Sequence, residues 1–193
     1  MNMSIESKIV TSLNSWGASH ESLIKILSND LVYIAILLGA LWIFVETFKA
    51  NRQQGGKLPS IPGLITNSLL VVAFPIGLTV VVSELISKLY LRQRPFVTLS
   101  ELKLLVPHNT DGGMPSHHIA FMTALVVCVY FYDRRAAALF GALTLLSGFG
   151  RVSAGIHYPS DIIAGIGVGI AVVYLYRITV TRLFSASILT IRP

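Results

Sequence analysis

The stretch from Gly150 to Tyr176, GRVSAGIHYPSDIIAGIGVGIAVVYLY, opens with Arg151, His157 and Asp161 and then runs from Ile162 to Tyr176 without a charge. A helix needs roughly 17 to 25 residues to cross a bilayer, and the uncharged part alone falls short. It reaches that length only if the residues before it are helical and buried in protein, because an ionisable side chain facing hydrocarbon is costly. The stretch therefore predicts a membrane helix whose polar end is sheltered by neighbouring helices.

The rest of the chain supplies those neighbours. Its 193 residues are 53% hydrophobic and only 12% charged, with a mean hydropathy of +0.70, well outside the range of an ordinary soluble domain. Leu31 to Phe48 and Ile61 to Ser83 are long enough to span, whereas Ile119 to Tyr132 and Ala136 to Gly150 also need the residues at their ends. No linker or repeat divides the chain, so residues 1–193 are expected to form one domain. The expected fold is all-α, a polytopic membrane helix bundle of about five transmembrane helices plus an N-terminal amphipathic helix.

Residues 1–29 read as that interfacial segment. Ile5, Ile9, Leu13 and Trp16 recur at near-helical spacing beside Ser4, Glu6, Lys8 and Asn14, which predicts a helix lying at the membrane surface. Ser22 to Leu27 extends it after a break at Gly17, and Met1 to Trp16 lacks the apolar run of a secretory signal. The lone cysteine, Cys128, reads as a small core or lipid-facing residue.

Loop charges set an orientation. Lys49, Arg52 and Lys57, then Arg134 and Arg135, then Arg177, Arg182 and Arg192 mark three places as cytoplasmic. The N-terminal segment, the loop from Ser87 to Met114 and the start of the last span then lie outside. Lys88, Arg92, Arg94 and Lys103 run against that balance, and a role in chemistry accounts for some of them but not for Lys103. The net charge of +6 needs only anionic lipid headgroups as partners and does not call for nucleic acid. No protein partner is indicated.

The outer-face residues carry the chemistry. His157 and Asp161 share a helix face if the last span begins near His157. A carboxylate there can hold one imidazole nitrogen as N–H and leave the other bare as a nucleophile. Pro159 favours a helix start, placing His157 just before the first turn; an Asp161 that merely caps the helix beside a hydrogen-bonded His157 is the structural alternative. Arg94 and Arg151 offer planar paired donors suited to phosphoryl oxygens, although either alone can snorkel to headgroups. Ser116, His117 and His118 open the third span, where free N–H groups favour an anion. Adjacent histidines can also bind a metal or sit at the interface, but no cluster at metal-ligand spacing supports a metal, and no cofactor is expected.

In chain order, Lys88, Arg94-Pro95, Pro115-Ser116-His117-His118, and Gly150-Arg151 followed by His157 and Asp161 resemble the type 2 phosphatidic acid phosphatase (PAP2) superfamily. Its pattern is a Lys, then Arg-Pro, then Pro-Ser-Gly-His, then Ser-Arg, five residues, His, three residues, Asp. The resemblance runs from Lys88 to Gly165, about half the chain. The phrases Arg94-Pro95-Phe96-Val97, Val106-Pro107-His108 and His157-Tyr158-Pro159-Ser160-Asp161 look most like the small bacterial undecaprenyl pyrophosphate phosphatases of the bacitracin-resistance type.

The resemblance implies metal-independent phosphotransfer through a phosphohistidine. His157 is then the nucleophile, Asp161 stabilises its imidazolium, and His118 is the proton donor and acceptor. Arg94, Arg151, Ser116 and Lys88 hold phosphoryl oxygens, with His117 as an added cation. The implied substrate is undecaprenyl pyrophosphate, a precursor carrier for the cell wall, cleaved at the outer face of the cytoplasmic membrane. Alternatives are a phosphatidylglycerophosphate, phosphatidic acid or lipid A phosphatase, or a non-catalytic lipid-phosphate binding or transport protein.

Three positions depart from the family pattern. Lys88 stands six residues before Arg94 rather than seven, the in-register place being Ser87; on a helix the slip turns the side chain by about 100 degrees, and Arg92 is the substitute. His117 replaces a glycine, and Gly150 replaces a serine whose hydroxyl Ser147 or Ser153 would have to supply. Gly165, Gly167 and Gly169 lie inside an apolar helix and suit close packing, through Gly165 and Gly169, better than a nucleotide loop. Pro75 and Asn67 suggest a kink with a satisfied amide, and Trp16 and Trp42 suggest interface or core anchors.

Overall fold

In the computed structural model, which describes residues 3–53 and 69–183, all the regular structure among those residues is helical. Helix α1 (Ile5–Ala18) starts at Ser4, whose hydroxyl accepts from the Ser7 N–H at 3.1 Å. A turn at Ser19 and His20 leads to α2 (Glu21–Lys25), which continues through a π-helical turn (Ile26–Asp30) into α3 (Leu31–Gln53). A second π-helical turn (Leu69–Ala73) opens α4 (Phe74–Tyr90), and after it come α5 (Pro95–Thr98), α6 (His117–Tyr130), α7 (Arg134–Ser153) and α8 (Pro159–Leu183). Lys57, Asn67, Arg192 and residues 61–68 of the expected second span lie outside the described residues.

Four segments, Glu21–Glu46, Leu70–Thr98, Arg134–Ser153 and Pro159–Arg182, are long and apolar enough to cross a bilayer. The fifth apolar helix, α6, has 14 residues and is about 21 Å long at 1.5 Å per residue, shorter than the roughly 30 Å of hydrocarbon. It is the central helix, packed against α4, α7 and α8, and most of its side chains from Ile119 to Val129 are buried. Enclosed by protein, α6 has no need to match the membrane thickness. Its expected end at Tyr132 falls instead in the turn to α7, where Asp133 accepts from the N–H groups of Arg135 and Ala136 at 2.8 and 3.1 Å.

Helices α7 and α8 gain their length by including Arg151 and Asp161, as the length argument required. Two glycines let α8 press on α6. A Cβ at Gly165 would lie 2.8 Å from the Ser116 carbonyl oxygen, and one at Gly169 would lie 2.7 Å from that of Ala120, so the glycines serve packing. Leu37, Leu41, Leu145, Ile163 and Leu175 are exposed on the outer faces of the bundle, where lipid contacts them without penalty.

Helix α1 is more than a surface helix. Ile5, Ile9 and Trp16 are exposed, but Ser7, Val10, Asn14 and Gly17 are buried against α7, α8 and the loop before α6. Asn14 donates to the carbonyls of Lys103 and Ser153 and accepts from the Lys103 N–H, each at 2.9 Å. The helix runs through Gly17 and breaks after Ala18. Lys103, the cation left over in the charge balance, pairs with Glu21 at 3.1 Å.

Candidate active site

Helix α4 ends at Leu91, whose left-handed φ of 45° costs a non-glycine residue roughly 1–2 kcal/mol. That turn sends Arg92 and Arg94 back toward the first turn of α8. There Pro159 fixes the helix start, and Asp161 reaches back to accept from the Tyr158 N–H at 2.7 Å, half of a capping box. The other Asp161 oxygen accepts from Arg92 at 2.7 Å.

His157 is 2% exposed. Its Nδ1 pairs with the Gly113 carbonyl at 2.9 Å, while Asp161 stands 3.5 Å away. A carbonyl only accepts, so Nδ1 carries the proton and Nε2 is bare. Asp161 is therefore both the helix cap and a nearby negative charge, and Gly113 rather than Asp161 makes the bond that fixes the ring. The bare Nε2 faces Arg94 Nη1 and Arg151 Nη2, both at 3.3 Å. Burial, followed by the charges of Arg151 and Arg94, holds His157 well below its ordinary 6.5, outweighing the Gly113 bond.

The two guanidiniums are 2% and 1% exposed, for Arg94 and Arg151. Arg94 donates to Asp111 Oδ1 at 2.9 and 3.2 Å, to the Asp111 and Gly112 carbonyls at 3.2 and 3.3 Å, and to the Ile156 carbonyl at 3.1 Å. Arg151 has no carboxylate among these contacts; it donates to the Ser28 carbonyl at 2.9 Å and meets His108 Nε2 at 3.3 Å. Among the described residues its Nε and the buried Ser116 hydroxyl have no hydrogen-bond partner. A buried cation short of negative partners, with an N–H of its own that has no acceptor among the described residues, is an environment that stabilises an anion.

His118 lies in the first turn of α6, within electrostatic range of Arg151, His108 and Arg94, so the fold gathers His157, His118, Asp161, Arg94, Arg151 and Ser116 at one end of the bundle. Two expected contacts are not brought in. Lys88 is 71% exposed and pairs with Glu84 at 3.1 Å; buried Ser87, in the family's register, donates to the Gly112 carbonyl at 2.9 Å. His117 points toward Glu84 at 3.6 Å, beyond hydrogen-bond range. Arg92 stands in for neither, because it binds Asp161, Ser160 and Glu6. Among the described residues no three His, Cys, Asp or Glu side chains gather as a metal-binding group.

Gly113, Asp111, Ser28, Glu6 and His108 were not anticipated in the site. Glu6 accepts from Arg92 at 2.8 Å and from the Ser160 N–H at 3.0 Å, placing an acid at the N-terminus of α8. Gly113 and Ser28 act through carbonyls, which leave no trace in side-chain patterning. His108 alone carried a signal, standing in one of the phrases of the family resemblance.

Undecaprenyl-diphosphatase BcrC of Bacillus subtilis (strain 168) is 27% identical over 168 residues, covering 83% of this chain and 77% of that protein. An undecaprenyl-diphosphatase of Sulfolobus acidocaldarius is 30% identical over 97 residues, covering 50% of this chain and 46% of its own length. The crystal structure of Aquifex aeolicus LpxE shares the fold, with a TM-score of 0.50 at 16% identity over 81% of this chain and 93% of that one. The sequence model of the PAP2 superfamily matches residues 68–185. That span is more than half of the chain and takes in every motif around His157, so the chain belongs to the PAP2 superfamily and is a membrane phosphatase of that family.

Proposed function

We propose that this protein hydrolyses undecaprenyl pyrophosphate to undecaprenyl phosphate and inorganic phosphate, through a phosphohistidine on His157 and without a metal. The observation that carries the reading is the bare Nε2 of His157 held between the buried guanidiniums of Arg94 and Arg151. His157 Nε2 attacks the terminal phosphorus, a P–N bond forms, and the bond from phosphorus to the bridging oxygen breaks. His118 gives its proton to that oxygen, and undecaprenyl phosphate leaves. A water then attacks the phosphohistidine, His118 takes the water's proton, and inorganic phosphate departs with His157 restored.

Arg94, Arg151 and Ser116 hold the equatorial oxygens, each fixed donor contributing on the order of 3 kcal/mol to the transition state. A centre with two buried guanidiniums repels a metal ion, which supports the metal-free reading. The names of the Bacillus and Sulfolobus relatives support the diphosphate substrate. Arg134 and Arg135 start α7 at the end opposite Arg151, and Arg177 and Arg182 lie at the far end of α8 from Asp161. By the positive-inside rule this arrangement supports a His157 that faces the outer side of the cytoplasmic membrane.

The test is phosphate release from undecaprenyl pyrophosphate by detergent-purified protein with EDTA present, native against His157→Ala. Activity that vanishes in the variant supports the reading. A native protein that prefers phosphatidylglycerophosphate, phosphatidic acid or lipid A would overturn the substrate, and a chelator-sensitive rate would overturn the metal-free mechanism. Function in cells that survives His157→Ala would point to a non-catalytic lipid-phosphate binder.

A further inference from the structure

We infer that His108, in the loop before α6, is a further phosphate-binding residue, its Nε2–H donating to an oxygen of the phosphoryl group that His157 attacks. The inference rests on the phosphotransfer reading and adds a donor to it.

The loop holds His108 firmly. Leu105 and Val106 are 3% and 2% exposed and pack with Ile24, Ala154 and Ile156, and the Leu105 N–H donates to the Ala154 carbonyl at 3.4 Å. The His108 ring stands edge-on to His157, with centroids 6.2 Å apart and planes at 79°.

The tautomer follows from its neighbours. The Asn109 N–H donates to His108 Nδ1 at 3.2 Å, so Nδ1 is the acceptor and Nε2 carries the proton. Burial, then the charges of Arg94 and Arg151, lower His108 from 6.5 to about 4, which keeps the ring neutral and this assignment in force around neutrality. Yet Nε2 lies 3.3 Å from Arg151 Nη2, and a guanidinium only donates. Two donors thus face each other and, among the described residues, no acceptor stands between them, the bare His157 Nε2 lying on the other side of Arg151 Nη2.

One anionic oxygen between them resolves the conflict. The same Arg151 Nη2 lies 3.3 Å from the nucleophile, His157 Nε2, so that oxygen belongs to the phosphoryl group under attack. No proton leaves His108 in this role, and it is distinct from the acid and base work of His118.

The experiment uses the full chain in detergent, comparing the native protein with His108→Gln, His108→Ala and His108→Glu. It measures kcat/KM on undecaprenyl pyrophosphate, inhibition by inorganic phosphate, and thermal midpoints as a folding check. Glutamine extends an N–H toward the Nε2 position, alanine removes the donor, and glutamate offers Arg151 an acceptor while repelling phosphate.

We expect alanine to lower kcat/KM about 10- to 100-fold and to weaken inorganic phosphate similarly, the size of one hydrogen bond to a charged group. Glutamine should recover most of the loss, and glutamate should be at least as impaired as alanine. Alanine within about twofold of native activity, or glutamate as active as glutamine, would overturn the inference, the second result making His108 an acceptor that merely positions Arg151. If the native protein hydrolyses no lipid phosphate, the phosphotransfer reading fails by itself. Calorimetric binding of inorganic phosphate then decides about His108: weaker binding by the alanine variant supports the donor role, and equal binding overturns it.

Discussion

Arg151 and Ser28 are joined by an N–H···O bond of 2.9 Å across 123 positions of sequence. The bond makes the N-terminal segment part of the phosphate site, since the carbonyl of a π-helical turn holds one of its two buried guanidiniums. Gly150, next to Arg151, permits the contact: a Cβ there would lie 2.6 Å from Leu27 Cβ and 2.8 Å from the Leu27 carbonyl carbon and the Ser28 nitrogen. The missing family serine is therefore a consequence of how this segment docks.

Restoring the family residue should do harm. Gly150→Ser has to push the π-helical turn away, at about 1–3 kcal/mol for overpacking, and Arg151 loses its anchor as the turn retreats. We expect a lower thermal midpoint and at least a tenfold lower rate of phosphate release. A variant with native midpoint and rate would show that the segment docks on α7 without supporting the site.

Arg92 should prove structural. It is the shared partner of Glu6 in α1 and of Asp161, whose side chain is 0% exposed. Arg92→Ala leaves that carboxylate with the Tyr158 N–H and a more distant His157, and stranding a buried charge costs on the order of 3 kcal/mol. Arg92→Lys keeps the charge but cannot reach both acids through a planar fork, so its loss of stability should be intermediate. Thermal melts of the two variants check the order, and equal stability of both with the native chain would refute it.

The folded protein should weaken in mild acid. His108 takes up a proton near 6.5 when unfolded but only near about 4 when folded, and His157 is shifted in the same direction. Between those values the unfolded chain binds more protons. The stability from these groups is therefore complete above pH 6.5 and is lost as pH falls through about 4. Melting midpoints across this window should fall less steeply for His108→Gln than for the native chain, and added inorganic phosphate should flatten the native curve by offsetting Arg94 and Arg151. Parallel curves for variant and native protein would exclude His108 as a contributor.

What the sequence made legible is what has a side-chain signature. Apolar runs predicted the helices, and the polar ends of the short ones predicted that Arg151 and Asp161 lie inside the bundle. Arg94, Ser116, His118, Arg151 and His157 were readable because their order and spacing along the chain resemble the pattern of the PAP2 superfamily, each being weak evidence alone. The bonds that orient them were not readable. Gly113 fixes His157 and Ser28 holds Arg151 through carbonyls, which every residue possesses. The docking of α1 was hidden because its buried face is Ser7, Val10, Asn14 and Gly17, a largely polar stripe that hydrophobic periodicity assigns to solvent.

Lys88 separates register from resemblance. The family places a lysine seven residues before the arginine, where it reaches phosphate; here the lysine is one position late and the helix turns it outward to Glu84, 3.1 Å away and on the exposed face of α4. An exposed pair of this kind contributes about 0–1 kcal/mol, and Ser87 in the family's place is engaged with the Gly112 carbonyl. Lys88→Ala should therefore retain kcat/KM within about twofold, a difference of roughly 0.4 kcal/mol on the scale where 1.4 kcal/mol is tenfold. Ser87→Ala should cost more, because it frees the Gly112 carbonyl, which also accepts from Arg94, and loosens the loop that carries Asp111 and Gly113. A tenfold or greater loss in Lys88→Ala would mean that α4 turns on binding substrate and brings the lysine inward; loss confined to Ser87→Ala would mean that the chain has exchanged a cation of its family for a hydrogen bond that braces the loop.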